Sequence, residues 1–139
     1  MRALVVEDVA IIRKILVHYL EPFGPVEMAS DGMEALGKFC LAHAENKSYN
    51  LILLDIMLPK INGIQLLTKI RELEDEILVT DKRYEFDPVK ILMVSSLSDE
   101  KALSTAIEKG CNGYITKPFD KDKIINEVEK TGIKLIPKK

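Results

Sequence analysis

Short, almost unbroken aliphatic runs alternate along this chain with longer stretches in which apolar residues return every three or four positions. "ALVV" (Ala3 to Val6), "NLILLD" (Asn50 to Asp55) and "KILMVS" (Lys90 to Ser95) are apolar at consecutive positions. That is the pattern of strands covered on both faces, and hence of a parallel sheet. "VEMA" (Val26 to Ala29) predicts a weaker strand and "GYIT" (Gly113 to Thr116) a short one. Between them, "VAIIRKILVHYL" sets Ile11, Ile12, Ile15, Leu16 and Tyr19 at helical spacing, and "DGMEALGKFCLAHAE" does the same with Met33, Leu36, Phe39 and Cys40. "NGIQLLTKIREL" predicts a third helix. "DEKALSTAIEKG" predicts a fourth, with Ser98 and Asp99 as capping residues and Gly110 as its stop, and "KDKIINEVEK" a fifth ended by Gly132. Five βα units in succession predict a doubly wound α/β domain with right-handed crossovers, spanning residues 1–139. The charged "EDEILVTDKRYEFDPV", Glu74 to Val89, fits neither period. It either extends the third helix or forms a long surface loop with room for a hairpin, and is read here as a looped insertion at about 74–89.

Composition narrows the function classes. A chain of 139 residues can bury one core and has no room for a second domain. Its 20 basic and 22 acidic side chains leave a net charge of -2, and no Lys/Arg stripe is interleaved with aromatics. The electrostatic footprint of a nucleic-acid binder is therefore missing. The first apolar stretch meets two acids almost at once, and no later run is long enough to span a bilayer, so a cytoplasmic protein with no membrane insertion is expected. Cys40 and Cys111 lie far apart without metal-ligand spacing and read as bystander or buried thiols.

In an open parallel sheet, ligands bind outside the carboxyl ends of the strands, so the polar residues there share one crevice. Glu7 and Asp8 end the first strand, Asp55 the third, Ser95 the fourth, and Lys117, followed by Pro118, the fifth. Three carboxylates facing one another repel unless a divalent cation with a preference for oxygen joins them, and Mg²⁺ is the natural candidate. Held so, Asp55 is a competent nucleophile for an aspartyl phosphate. Lys117 and Ser95 could each bond a phosphoryl oxygen. Taken singly, each residue has an ordinary reading: Asp8 could cap the first helix, Asp55 could bond loop amides, Lys117 could be solvated, and Tyr114 could be core. His18 and His43 fall on helices with no convergent ligands.

The acidic pair after "LVV", the "LLDIMLPKINGIQLL" run around Asp55, the "LMVSS" strand end and "GYITKPF" together resemble the four signatures of a response-regulator receiver domain of the CheY-like family. The resemblance implies a five-stranded parallel sheet in the order 2-1-3-4-5 with five helices. It implies a phosphoacceptor at Asp55, served by a sensor histidine kinase or phosphotransfer protein, and Mg²⁺ held by Glu7, Asp8, Asp55 and the backbone carbonyl of Met57. Ser95 and Lys117 would bind the phosphoryl group, Ser95 and Tyr114 would form the switch, and the Lys117-Pro118 peptide would be cis. A downstream effector would dock on the surface of the fourth helix, fifth strand and fifth helix, roughly 99–109, 113–116 and 121–130.

This chain departs from the commonest family pattern at a few places. Glu7 stands for an aspartate and Ser95 for a threonine. Met57 and Leu97, two positions beyond Asp55 and Ser95, are apolar where the family's residues flank the path of attacking water, which predicts slow intrinsic dephosphorylation. Three other classes are weighed. A flavodoxin-like carrier needs a phosphate loop where this chain has "EDVA", and an aspartyl-phosphate phosphatase needs a second acid two residues from its nucleophile near the first strand. A receiver-like interaction module that is never phosphorylated would not need the full acidic set. If the chain is full length, no effector domain follows "GIKLIPKK" and the protein would act by docking, with chemotaxis-type and phosphorelay roles both open.

Overall fold

The computed structural model describes residues 1–80, 87–96 and 100–138. The consecutive apolar residues of the sequence form five strands: β1 (Ala3–Val6), β2 (Val26–Ala29), β3 (Leu51–Asp55), β4 (Lys90–Ser96) and β5 (Gly113–Lys117). They pair in parallel in the order β2-β1-β3-β4-β5, the expected one. Five helices alternate with them: α1 (Ala10–Leu20), α2 (Gly32–Ala44), α3 (Gly63–Thr80), α4 (Glu100–Glu108) and α5 (Lys121–Lys130).

Alternate side chains of each central strand feed different cores, which is why β1 and β3 must be apolar throughout. Leu4, Val6, Ile52, Leu54, Ile91 and Met93 pack with Phe39 of α2, Leu66, Leu67 and Ile70 of α3, and Ala106 of α4. Ala3, Val5, Leu51, Leu53, Leu92 and Ile115 pack on the other face with Leu16, Val17 and Leu20 of α1 and Ile124 and Val128 of α5. Two layers of helices thus fix the sheet from both sides, and polar residues at the carboxyl ends of the strands have only the crevice to occupy. After α5 the chain continues beside α1: Ile133 and Leu135 pack on the second core, and the Lys138 N–H donates to Pro22 O at 2.8 Å.

Helix starts differ in how they are closed. Asp31 caps α2 by accepting from Glu34 N at 2.8 Å, and Asp120 caps α5 by accepting from Lys123 N at 2.8 Å. Asp8 does not cap α1. Its N-cap is Val9, with no side-chain cap bond and no acid in the first turn. The expected caps of α4, Ser98 and Asp99, lie outside the described residues.

The loop reading of the segment from Glu74 fails for its first part, because α3 continues to Thr80. The cause is a glutamate in the helix's inward stripe. Leu66, Leu67 and Ile70 are fully buried, Leu73 is partly buried, and Glu74, where the stripe calls for an apolar residue, is only 3% exposed. It is held by a polar clamp at the amino ends of the strands. Glu74 Oε1 pairs with Arg71 Nη1 at 2.6 Å, and Glu74 Oε2 accepts from Val89 N at 2.8 Å. Arg71 also donates to Val89 O at 2.8 Å, Gly110 O at 3.0 Å and Asn112 Oδ1 at 2.9 Å, and Asn112 Oδ1 accepts from Ile91 N at 2.8 Å. The clamp ties α3 to the entry of β4 and to the turn before β5. Residues 81–86 of the expected insertion lie outside the described residues.

Removing one member of a buried, hydrogen-bonded ion pair leaves the other uncompensated and costs about 3–5 kcal/mol. Arg71 keeps three carbonyl-type acceptors, so Glu74→Ala is expected to destabilise the chain by about 2–4 kcal/mol. The urea midpoint would fall with the slope unchanged; a shift within experimental error would show that the clamp is not holding the fold.

Candidate acidic metal and phosphoryl site

β1 and β3 are adjacent and in register, Val6 opposite Leu54, so the residues that follow them emerge together. Carboxylate oxygens of Glu7, Asp8 and Asp55 all lie within 4.8 Å of one another. Glu7 and Asp55 are buried, at 1% and 4% exposed, while Asp8 is exposed. β5 brings in the counter-charge: Lys117 Nζ stands 3.3 Å from Asp55 Oδ2 and 3.5 Å from Glu7 Oε1. The Met57 N–H donates to Asp55 Oδ1 at 3.1 Å, which fixes the orientation of that carboxylate.

The electrostatics follow from one lysine facing three acids. Burial pushes the Glu7 carboxyl up to about 8, helped by neighbouring Asp55, while Lys117 opposes the shift. Burial alone would pull Lys117 down, but Asp55 and Glu7 outweigh it and hold the ammonium above its ordinary value. Both Glu7 oxygens are buried without a hydrogen-bond donor. The 3.5 Å approach of Lys117 is an ion-pair contact rather than an aligned hydrogen bond. Buried carboxylate oxygens that lack donors, set beside two further carboxylates, fit a small divalent cation with oxygen preference.

Ser95 is buried, and its hydroxyl donates to Ser96 O at 3.3 Å. β4 runs one residue further than expected, to Ser96, which pairs with Lys117. The Lys117-Pro118 peptide bond is cis. Tyr114 is not core; on the edge strand β5 its ring is 45% exposed. Met57 is 68% exposed beside the acids, and Leu97 lies outside the described residues. His18 and His43 on α1 and α2 take no part in the acidic cluster, and Cys40 and Cys111 are free thiols, Cys40 exposed and Cys111 partly so.

Two residues of this neighbourhood escaped the strand-end argument. Gly63 opens α3 directly beneath the phosphoacceptor candidate, where a Cβ would stand 2.3 Å from Asp55 O and 2.7 Å from Ile56 Cα. The "NG" pair in the "LPKINGIQLL" run was its only signal. Arg13, in the first helix, bonds the main chain of the acidic pair: its Nη1 donates to Glu7 O at 2.8 Å and lies 3.5 Å from Asp8 O. No side-chain pattern announces a bond of that kind.

Comparison with known proteins agrees with the geometry. The family profile described as "Response regulator receiver domain" matches residues 3–129. The chemotaxis protein CheY of Bacillus subtilis is 26% identical over 132 residues, covering 94% of this chain and 96% of that protein. A probable transcriptional regulator ycf27 of Porphyridium aerugineum is 36% identical over 119 residues, 85% of this chain. This chain spans only 42% of that relative's length, and less than half of other curated relatives. Among solved structures, the CheX-CheY-BeF3-Mg complex of Borrelia burgdorferi superposes with a TM-score of 0.78 at 26% identity, covering 96% of this chain and 90% of that one. The profile takes in every strand of the sheet and every member of the acidic crevice, so this chain belongs to the response regulator receiver domain family of two-component signalling.

Proposed function

We propose that the chain accepts a phosphoryl group on Asp55 from the phosphohistidine of a sensor histidine kinase or phosphotransfer protein, and that the modified form controls a partner protein. The observation that carries this is the gathering of Glu7, Asp8 and Asp55 within 4.8 Å with Lys117 as their one close cation among the described residues. In the transfer, an Asp55 oxygen bonds to phosphorus as the donor's nitrogen–phosphorus bond breaks, and the electron pair leaves on the imidazole. Lys117 bonds a phosphoryl oxygen, and the Met57 N–H keeps Asp55 aligned through its other oxygen. The Ser95 hydroxyl, now spent on a long bond to Ser96 O, is free to turn to the new group. Glu7, Asp8, Asp55 and the carbonyl of Met57 would hold Mg²⁺, which supplies charge neutralisation for the transferring oxygens when bound.

In this reading Ser95 and Tyr114 are the switch. Tyr114, exposed here, would turn inward as Ser95 moves, which shifts the balance between two conformers rather than creating a new one. α4, β5 and α5 present the result to an effector. Residues 1–139 are taken as one receiver unit with an insertion at about 74–89, working in the cytoplasm; among the described residues no helix is long and apolar enough to cross a membrane.

Incubation with acetyl phosphate and Mg²⁺ is expected to add one phosphoryl group by intact mass, and none in Asp55→Asn or in EDTA. Absence of an adduct, together with no binding of beryllofluoride, would overturn this in favour of an interaction module that is never phosphorylated. Once formed, the adduct should decay slowly because the Met57 side chain cannot orient water. Met57→Gln is expected to speed its loss about ten-fold, or about 1.4 kcal/mol of barrier, by the same mass assay; loss within seconds in the unmodified chain would refute the argument.

A pH dependence follows from Glu7. A carboxyl raised from 4.5 to about 8 in the folded chain favours the native state at low pH. That contribution is lost as pH rises through the folded value. In EDTA, the melting temperature of the wild type should therefore fall between about pH 6 and about pH 8, whereas Glu7→Gln should remove this component of the slope. Equal slopes would place the proton elsewhere.

A further inference from the structure

Arg13 is an unusual residue for its place. A cation in the first turn of a helix opposes the positive end of the macrodipole, where acids are favoured. α1 also lacks the side-chain cap that Asp31 and Asp120 give to α2 and α5. Among the described residues Arg13 makes no ion pair. Two acids lining the same groove are engaged elsewhere: Glu27 pairs with Arg2 at 3.0 Å, and Glu34 with Lys38 at 3.5 Å and with the Ser30 hydroxyl at 3.1 Å. The guanidinium is spent on the main chain, 2.8 Å from Glu7 O and 3.5 Å from Asp8 O.

Helical side chains lean back toward the amino end, so an arginine on the first turn can reach over the preceding loop. Here that loop carries the two acids. On the sheet side it is held by the Glu7 N–H bonding to Ala29 O at 3.1 Å. On the helix side the Val9 carbonyl accepts from Arg13 N at 2.9 Å, and the guanidinium takes the two carbonyls between. With the Glu7 and Asp8 carbonyls turned toward α1, their side chains are set toward the crevice without any side chain capping the turn.

We infer that Arg13 is a positioning residue for the cation site: by fixing the carbonyls of Glu7 and Asp8 it presents both carboxylates to a divalent ion together with Asp55. The inference rests on the receiver reading above. Groups that orient metal ligands from behind typically set affinity by about 10–100-fold, and one acting through the main chain belongs at the low end.

The test uses the full chain, with Mg²⁺ alone as the probe. Titration calorimetry is expected to show about ten-fold weaker Mg²⁺ binding in Arg13→Met, which keeps the apolar stem but loses the donors. The Mg²⁺ concentration that half-saturates phosphorylation by acetyl phosphate should rise in parallel, while the rate at saturating Mg²⁺ returns to within about two-fold of wild type. Arg13→Lys, which keeps a cationic donor on a different stem, should recover part of the affinity. A purely structural arginine would lower the melting temperature without moving Mg²⁺ half-saturation. Affinity within about two-fold of wild type in a folded Arg13→Met overturns the inference. Should that variant fail to fold, Arg13→Ala, a stronger helix former that also lacks the donor, decides the matter: Mg²⁺ affinity within about two-fold of wild type overturns the inference. Failure of the wild type itself to bind Mg²⁺ would instead remove the receiver reading on which the inference stands.

Discussion

Three carboxylates brought within 4.8 Å by a folded backbone are the constraint on which this molecule turns. Their mutual repulsion grows as water leaves, and two of them are almost wholly buried. A single lysine offsets part of that cost, and burial beside Asp55 holds the Glu7 carboxyl well above its ordinary pKa. The arrangement has to be imposed by something stronger than the acids' preference to part. That something is the apolar sheet, whose central strands are buried on both faces and cannot slide without exposing Leu4, Leu53 or Ile52.

Register converts this stiffness into geometry. Val6 and Leu54 face each other across β1 and β3, so Glu7 and Asp55 must leave the sheet side by side. β4 then places Val94 beside Asp55, and β5 places Lys117 beside Ser96, so the cation reaches across a neighbouring strand to the acids. Gly63 adds a constraint from below, since only a residue without a side chain lets α3 begin against the Asp55 carbonyl. The crevice is therefore a by-product of strand pairing, with local contacts trimming it.

Much of this was legible in the sequence because strand ends are marked by abrupt changes in polarity. Asp55 ends an aliphatic run and Lys117 ends the short Gly113–Lys117 strand just before a proline, and both lie at the strand ends where that reasoning places them. Glu74 was illegible for a definite reason. It occupies a buried position in the stripe of α3, and what makes a glutamate tolerable there is an amide fifteen residues later and an arginine three residues earlier. Periodicity scores such a residue as a break in the helix, when it is the point of closure. Arg13 was hidden differently, because its partners are carbonyl oxygens that every residue carries. The exposure of Tyr114 depended on β5 lying at the edge of the sheet, which is a property of the assembled order and of no single strand.

The clamp at the amino ends of the strands has a meaning in polymer terms. One carboxylate, Glu74, grips its own helix with one oxygen and the returning chain at Val89 with the other, so two points fifteen residues apart along the chain are pinned together. Bringing two points of a chain together costs closure entropy that grows only slowly with the number of residues between them. The clamp lies at the opposite end of the strands from the acids. The fold thus meets that cost at the end of the sheet away from the crevice, and the acids are not required to hold the chain closed.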